Sequence, residues 1–113
     1  MSEADEQKVV VEWLRAIRAV YHHSANEGRR SYRTAAHLRA MGMRSGFPDL
    51  LIFDHTEQAP FGAAIEMKSA SGRVAPGQKA WLELLRVIGW QTTVARSADE
   101  AIAWLKTLGY GSR

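Results

Sequence analysis

Two short stretches decide how this chain reads: Phe47-Pro48-Asp49-Leu50-Leu51-Ile52-Phe53 and Ile65-Glu66-Met67-Lys68. Pro48 disfavours helix for the residue before it, so Gly46-Phe47-Pro48 reads as a turn and Asp49–Phe53 as an apolar strand opened by an acid. Ala63–Lys68 reads as a second strand, with Asp54–Phe61 as the hairpin loop between them. Antiparallel pairing centred near residues 57–58 puts Asp49 opposite Glu66. Side chains alternate along a strand, so Glu66 and Lys68 share one face while Ile65 and Met67 take the other. Opposed residues hold their Cβ atoms about 4.5–5.5 Å apart. Two carboxylates that close repel unless a cation or a proton lies between them, and a hard divalent ion with oxygen ligands is the natural partner. A one-residue slip of register would turn Asp49 to the other face. Asp54 lies about 16 Å further along the same strand direction and reads as a turn residue outside the site.

Outward from the hairpin, residues 3–19 read as a helix. Ser2 caps it with Asp5 in capping-box spacing, and the apolar stripe runs through Val9, Val10, Trp13, Ile17 and Val20. Tyr21–Asn26 reads as extended, followed by a turn at Glu27-Gly28, and residues 31–42 as a weaker helix. Pro76 suits the first turn of a helix running to about Val87 that Gly89 can close. Trp90–Ala95 is a strand rich in β-branched residues. Ser97 caps a last helix, Ala98–Leu108, with Asp99 and Glu100 in its first turn. The order is α-(β)-α-β-β-α-β-α. This is a mixed α+β (α/β) arrangement, in which a central mixed sheet with an antiparallel hairpin is flanked by helices. Residues 1–108 form a single domain and Gly109–Arg113 a short loose tail.

The bulk properties narrow the class. The 113 residues are 46% hydrophobic and 24% charged, values of a globular domain. No stretch reaches the apolar length of a membrane span, and the acidic, helical N-terminus is not a secretory signal. With no cysteine, disulfides and thiolate metal sites are excluded, which fits a reducing cytosol. The net charge is only +3, but five arginines (29, 30, 33, 39, 44) fall between Arg29 and Arg44 without an acid. That is the footprint of a phosphate-binding surface, or else a solvated helix face.

Two helices aim polar groups at the hairpin. Glu6 continues the apolar stripe of the first helix, whereas Glu12 falls off it toward solvent and Glu3 lies in the first turn. Gln78 heads the stripe Trp81, Leu82, Leu85 and Ile88 of the third helix. His22 and His23 are adjacent and diverge on a strand. His22, His37 and His55 lack ligand spacing and read as surface or packing residues, so zinc is not indicated. The four tryptophans read as core or interface.

Pro48-Asp49 and Glu66-Met67-Lys68 resemble the two halves of the PD-(D/E)XK nuclease motif. The wider pattern is more specific. His23-x-x-Asn26-x-Gly28, Arg30-Ser31, Gly42, Gly46-x-Pro48-Asp49-Leu50, Glu66-x-Lys68, Gly72, Gln78, Trp81, Gly89 and Arg96-Ser97-x-Asp99-Glu100-Ala101 are similar to the VRR-Nuc family. The resemblance runs from about Glu3 to Leu108 and is especially close to short, stand-alone phage and bacterial members. Ala25-Asn26-Glu27-Gly28 departs from the Pro-Asn-Gly that members often carry.

The resemblance implies a restriction-endonuclease-like core and a Mg²⁺- or Mn²⁺-dependent DNA endonuclease in the cytoplasm of a bacterial or phage-infected cell. It implies a homodimer acting on branched DNA such as Holliday junctions. By position, Asp49 and Glu66 would be metal ligands together with the Met67 carbonyl and Glu6, with Glu3 as the fallback for the helix acid. Lys68 would act on the attacking water, and Gln78 would support the site. His23, Asn26, Arg29, Arg30, Arg33 and Arg44 are the candidate DNA contacts. A chain this short leaves no room for a separate target-recognition domain, so a symmetric dimer, with the last helix and Trp104 as one candidate surface, would supply selectivity for DNA shape. The alternatives are a non-catalytic nucleic-acid-binding module that retains the fold, or a dimerisation domain.

Overall fold

The structure, a computed structural model, describes residues 1–24, 32–42 and 44–112. Eight elements follow in the order the sequence indicates: α1 (Glu3–Ala16), β1 (Tyr21–His23), α2 (Tyr32–Ala40), β2 (Leu50–Ile52), β3 (Ala63–Met67), α3 (Pro76–Val87), β4 (Gln91–Ala95) and α4 (Ala98–Thr107). The sheet order is β1-β2-β3-β4. β1 and β3 both pair antiparallel to β2, and β4 joins β3 in parallel after the α3 crossover. The sheet is therefore mixed, with the hairpin at its centre.

Alternation along the central strands divides the interior in two. Leu50, Ile52, Ala63, Ile65 and Met67 turn to one face and meet Val10 and Leu14 of α1 and Ala98, Ala101 and Leu105 of α4. Leu51 and Ala64 turn to the other face and meet Leu85 of α3, with Phe47, Trp81 and Trp90 packed around them. Every residue of β3 is buried, as a strand covered by helices on both faces requires. Asp49 and Glu66, in step with Leu51 and Ala64, belong to the α3 face.

The expected caps form. Ser2 Oγ accepts the Asp5 N–H at 3.1 Å while Asp5 Oδ2 accepts the Ser2 N–H at 3.2 Å. Ser97 Oγ accepts the Glu100 N–H at 3.1 Å. Pro76 opens α3, and Gly89 follows it at φ +108°.

Four expectations are corrected. α1 ends at Ala16, not 19, because Arg18 turns the chain in the left-handed region at φ 59°, a conformation that sequence announces only through glycine. The buried stripe of α1 runs through Val10 and Leu14, while Val9 and Val20 are exposed. Ile88, assigned to the buried stripe of α3, is exposed as well. The segment after Leu108 is not a loose tail: Tyr110 is only 4% exposed, packs into the α1–α4 core, and donates its hydroxyl to the Asp54 carbonyl at 2.8 Å. Burial pushes that hydroxyl's pKa up to about 12, so it stays a donor.

Candidate active site

The ladder between β2 and β3 pairs Ile52 with Ala63, Leu51 with Ala64 and Leu50 with Ile65. One step further along this register sets Asp49 opposite Glu66, as the hairpin reading expects, and a second step sets Pro48 opposite Met67. A strand residue turns its N–H and C=O to the same edge, and those of Met67 face β2. Pro48 has no N–H to give that carbonyl. The Met67 N–H, for its part, donates to Asp49 Oδ2 at 2.7 Å. Asp49 is thereby locked at the end of the ladder, with the Met67 carbonyl at the same edge.

Both carboxylates are buried, Asp49 at 4% and Glu66 at 2% exposure. Glu66 Oε2 accepts the Gln78 amide at 3.0 Å and lies 3.7 Å from Lys68 Nζ. Glu66 Oε1 is buried and accepts no hydrogen bond. Burial, then the charge of Asp49, pushes the Glu66 pKa up to about 8, against the smaller opposing pull of Lys68. A buried carboxylate oxygen without a donor beside a second buried carboxylate is the donor set of a hard cation, so these residues fit the divalent ion that the sequence implies. Among the described residues no group of three or more His, Cys, Asp or Glu converges as a metal-holding cluster. The oxygen donors at this edge are the Asp49–Glu66 pair and the Met67 backbone.

Gln78 is fixed from both ends. Its Oε1 accepts the Ala75 N–H at 2.8 Å, at the start of α3, which leaves its amide N–H for Glu66. The start of α3 is itself pressed onto the turn before Asp49. A Cβ at Gly46, which lies at φ +87°, would come within 2.6 Å of the Gly77 carbonyl carbon and 2.8 Å of the Gln78 nitrogen. In the same turn Phe47 meets the Trp81 ring edge-on at 4.9 Å between centroids, and Arg44 stacks over Trp81 at 4.6 Å. Residues 44–49 and the first two turns of α3 therefore form one unit that sets Asp49, Gln78 and Arg44 together.

The other candidates are placed as follows. Glu6 borders the sheet from α1, and its Oε1 accepts the Ala98 N–H at 2.9 Å, capping α4 from outside that helix. Glu3 and Glu6 line a hollow of about 250 Å³ together with Lys68, Ser69 and Arg96. The charge of Glu3 reaches Glu66 and adds to the upward push on its pKa. His23 pairs with Leu50 on the α1 face of the sheet and borders the groove between α1 and β1, away from the face that carries Asp49 and Glu66. Arg33 is exposed on α2. Asn26, Arg29 and Arg30, with the Glu27-Gly28 turn, lie outside the described residues. Asp54 is the turn residue expected of it, accepting the Val20 N–H at 2.8 Å. Trp104 is half-buried against the core. The Arg44–Trp81 stack and the contacts of Arg96 were not visible in the sequence; the one available signal was the recurrence of Gln78 and Trp81 three apart on a single helix face.

A mixed sheet between helices, with paired carboxylates and a lysine at the end of its central hairpin, defines a nuclease-type fold. The chain belongs to the VRR-NUC family, whose model, described as VRR-NUC domain, matches residues 1–99 and so spans the whole site. One solved structure, a VRR_NUC domain protein, is 27% identical with a TM-score of 0.77, covering 96% of this chain and 88% of that one. A second, a VRR_NUC domain, is alike in fold at 20% identity and a TM-score of 0.64, covering 94% of this chain and 97% of that one. No curated protein matches the chain.

Proposed function

We propose that this protein is a divalent-cation-dependent endonuclease, acting as a homodimer on branched DNA. The observation that carries the reading is the Asp49–Glu66 pair: two buried carboxylates on facing strands, one with an oxygen left without a donor. Asp49, Glu66 and the Met67 carbonyl would hold Mg²⁺ or Mn²⁺. Of the two α1 acids, Glu3 is better suited to complete the set than Glu6, because one oxygen of Glu6 is already committed to α4. When bound, such an ion lowers the pKa of water and polarises a phosphate.

The protein's own groups account for the rest. Lys68 Nζ, beside Glu66, orients the attacking water and offsets the negative charge that develops on the phosphate as the new P–O bond forms and the old one breaks. Gln78 holds the Glu66 carboxylate in one orientation. Arg44 and Arg33, with Arg29 and Arg30, contact backbone phosphates, which positions DNA and carries little base information. The exposed apolar side chains Leu84, Val87 and Ile88 at the end of α3, with Phe61 beside them, offer a surface on which two copies could pair. Two sites related by a dyad would then supply selectivity for DNA shape. The setting that fits is the cytoplasm of a bacterial or phage-infected cell.

The test is cleavage of labelled four-way junction, flap, duplex and single-stranded DNA in Mg²⁺, Mn²⁺ or EDTA, comparing the wild type with Lys68→Ala. Metal-dependent cutting that is lost in the variant supports the reading, and the ranking of substrates defines the preference. Salt-sensitive binding without cutting under any metal would overturn it in favour of a non-catalytic DNA-binding module.

A further inference from the structure

We infer that Arg96 is a positioning residue for Lys68, acting through the turn that follows the lysine; this rests on the reading of Lys68 as the active lysine given above. Arg96 stands between the last residue of β4 and Ser97, the N-cap of α4. Its Nη1 donates to the Ser69 carbonyl at 2.8 Å and to the Gly72 carbonyl at 2.6 Å. Those carbonyls belong to the two ends of a single turn, which also closes on itself through the Gly72 N–H and the Ser69 carbonyl at 3.2 Å.

The turn lies back over the lysine. A Cβ built at Gly72 would lie 2.9 Å from Ser69 Oγ and 3.6 Å from Lys68 Cδ. The lysine backbone is held on the other side, where its N–H donates to the Ala95 carbonyl at 2.9 Å. The aliphatic stem of Lys68 therefore runs between the end of the sheet and a turn tied down by one guanidinium, and its ammonium emerges 3.7 Å from Glu66. Hydrogen bonds from a charged donor are the stronger kind, and a planar guanidinium loses less freedom per bond than a flexible amine. A long, four-carbon side chain that is only 16% exposed depends on such support to keep one rotamer beside the reacting phosphate.

The test uses Arg96→Met and Arg96→Lys in the full chain, with two readouts. In the cleavage assay at saturating Mg²⁺, Arg96→Met should lower kcat, by about 10²-fold if the lysine moves by about 1 Å, and leave KM for DNA unchanged. Arg96→Lys, which can still donate to the turn, should recover part of the loss. The second readout is the ¹³C NMR spectrum of the lysine ε-carbons in metal-free protein at one fixed pH. The chain has four lysines: Lys8, Lys68, Lys79 and Lys106. The Lys68 signal, assigned with Lys68→Arg, should move to the position and narrow width of an exposed lysine in Arg96→Met, while the other three stay in place.

An unchanged kcat with an unchanged Lys68 signal would overturn the inference. So would a raised KM at unaltered kcat, which would make Arg96 a direct DNA contact, or a movement of all four lysine signals together, which would make it a support of the fold alone. Should Arg96→Met fail to fold, Arg96→Lys decides on the same two readouts. A wild type that cuts no DNA would sink the nuclease reading, and the NMR readout would still decide whether Arg96 holds Lys68.

Discussion

Asp49 Oδ2 accepts the Met67 N–H at 2.7 Å, standing in for a ladder carbonyl just beyond the last β2–β3 pair. The dipeptide Pro48-Asp49 thus does two things at once. Proline ends the pairing of β2 with β3 so that the Met67 carbonyl meets no backbone donor from β2, and the acid behind it occupies the freed edge. A buried carboxylate directly opposite another is an expensive arrangement, held together by the surrounding fold rather than by its own interactions.

That expense sets a pH dependence. The Glu66 pKa is raised from an ordinary 4.5 to about 8 by burial and by Asp49. A folded-state pKa above the unfolded value means that the folded protein holds the proton more tightly. The stabilisation is complete below about pH 4.5 and is lost as pH rises through 8. Metal-free protein should therefore lose stability, on the order of a few kcal/mol, across that window. On the proposed reading Mg²⁺ would bind the ionised pair, and it should then raise Tm most at the alkaline end. Melting in EDTA and in Mg²⁺ from pH 5 to 9, for the wild type and Glu66→Gln, checks this. The variant should show a flatter slope and a smaller response to Mg²⁺; a wild-type Tm in EDTA that rises across the window would contradict it.

Gly46 and Gly42 offer a matched pair of substitutions. Both lie at positive φ, +87° and +102°, so alanine strains either backbone by about 1–3 kcal/mol. At Gly42 nothing stands within 4 Å of the added methyl, whereas at Gly46 it meets the Gly77–Gln78 backbone. Gly42→Ala should cost only the strain and keep its cleavage rate. Gly46→Ala should lose more stability and also cleave slowly, since the start of α3 must move and take Gln78 from Glu66. Urea unfolding with single-turnover cleavage separates the two; equal losses in both variants would mean that the contact with α3 contributes nothing.

Much of this site was legible in the sequence because it is local. The register of one hairpin, read from its loop, placed Asp49 against Glu66, and a single helix stripe placed Gln78. The features that escaped are tertiary. Arg96 reaches a turn more than twenty residues away in sequence, and Glu6 caps a helix at the far end of the chain. No periodicity marks such contacts. In α1, three consecutive valines let the helical stripe be drawn in more than one way, and only the position of α4 decides that Val10 and Leu14 face inward. Nothing in the sequence marks Tyr110 as core; at φ +95° Gly109 turns the chain back so that Tyr110 packs against it.

The two acids of α1 can be told apart by isosteric change. Glu6→Gln keeps an oxygen to accept the Ala98 N–H, so stability should hold, whereas Glu6→Ala should cost about 1 kcal/mol through the lost cap of α4. If the cap is the whole role of Glu6, Glu6→Gln should also cleave at the wild-type rate. Glu3→Gln, half-buried in the first turn of α1, where its side chain has no cap to hold, should leave stability nearly unchanged and weaken Mg²⁺ dependence, measured as the concentration of Mg²⁺ that gives half-maximal cleavage. A collapse of activity in Glu6→Gln with Glu3→Gln unaffected would reassign the metal-facing acid to Glu6.

Arg44, the proposed phosphate contact, stacks on Trp81, one helical turn beyond Gln78. The aromatic face holds the guanidinium in one place before any phosphate arrives, so less freedom is lost on binding. Arg44→Ala should weaken binding about equally for every DNA sequence and lower the slope of log K against log salt by about 1, with kcat at saturating DNA unchanged. Trp81→Leu keeps the charge and removes the platform. It should retain the wild-type salt slope yet bind more weakly, because the same phosphate contact must now be made by an unrestrained side chain. Fluorescence anisotropy titrations between 50 and 200 mM salt, roughly the range over which such contacts are lost, distinguish the two variants. An unaltered slope in Arg44→Ala would remove this arginine from the DNA surface and return the stack to a purely packing role beside Phe47.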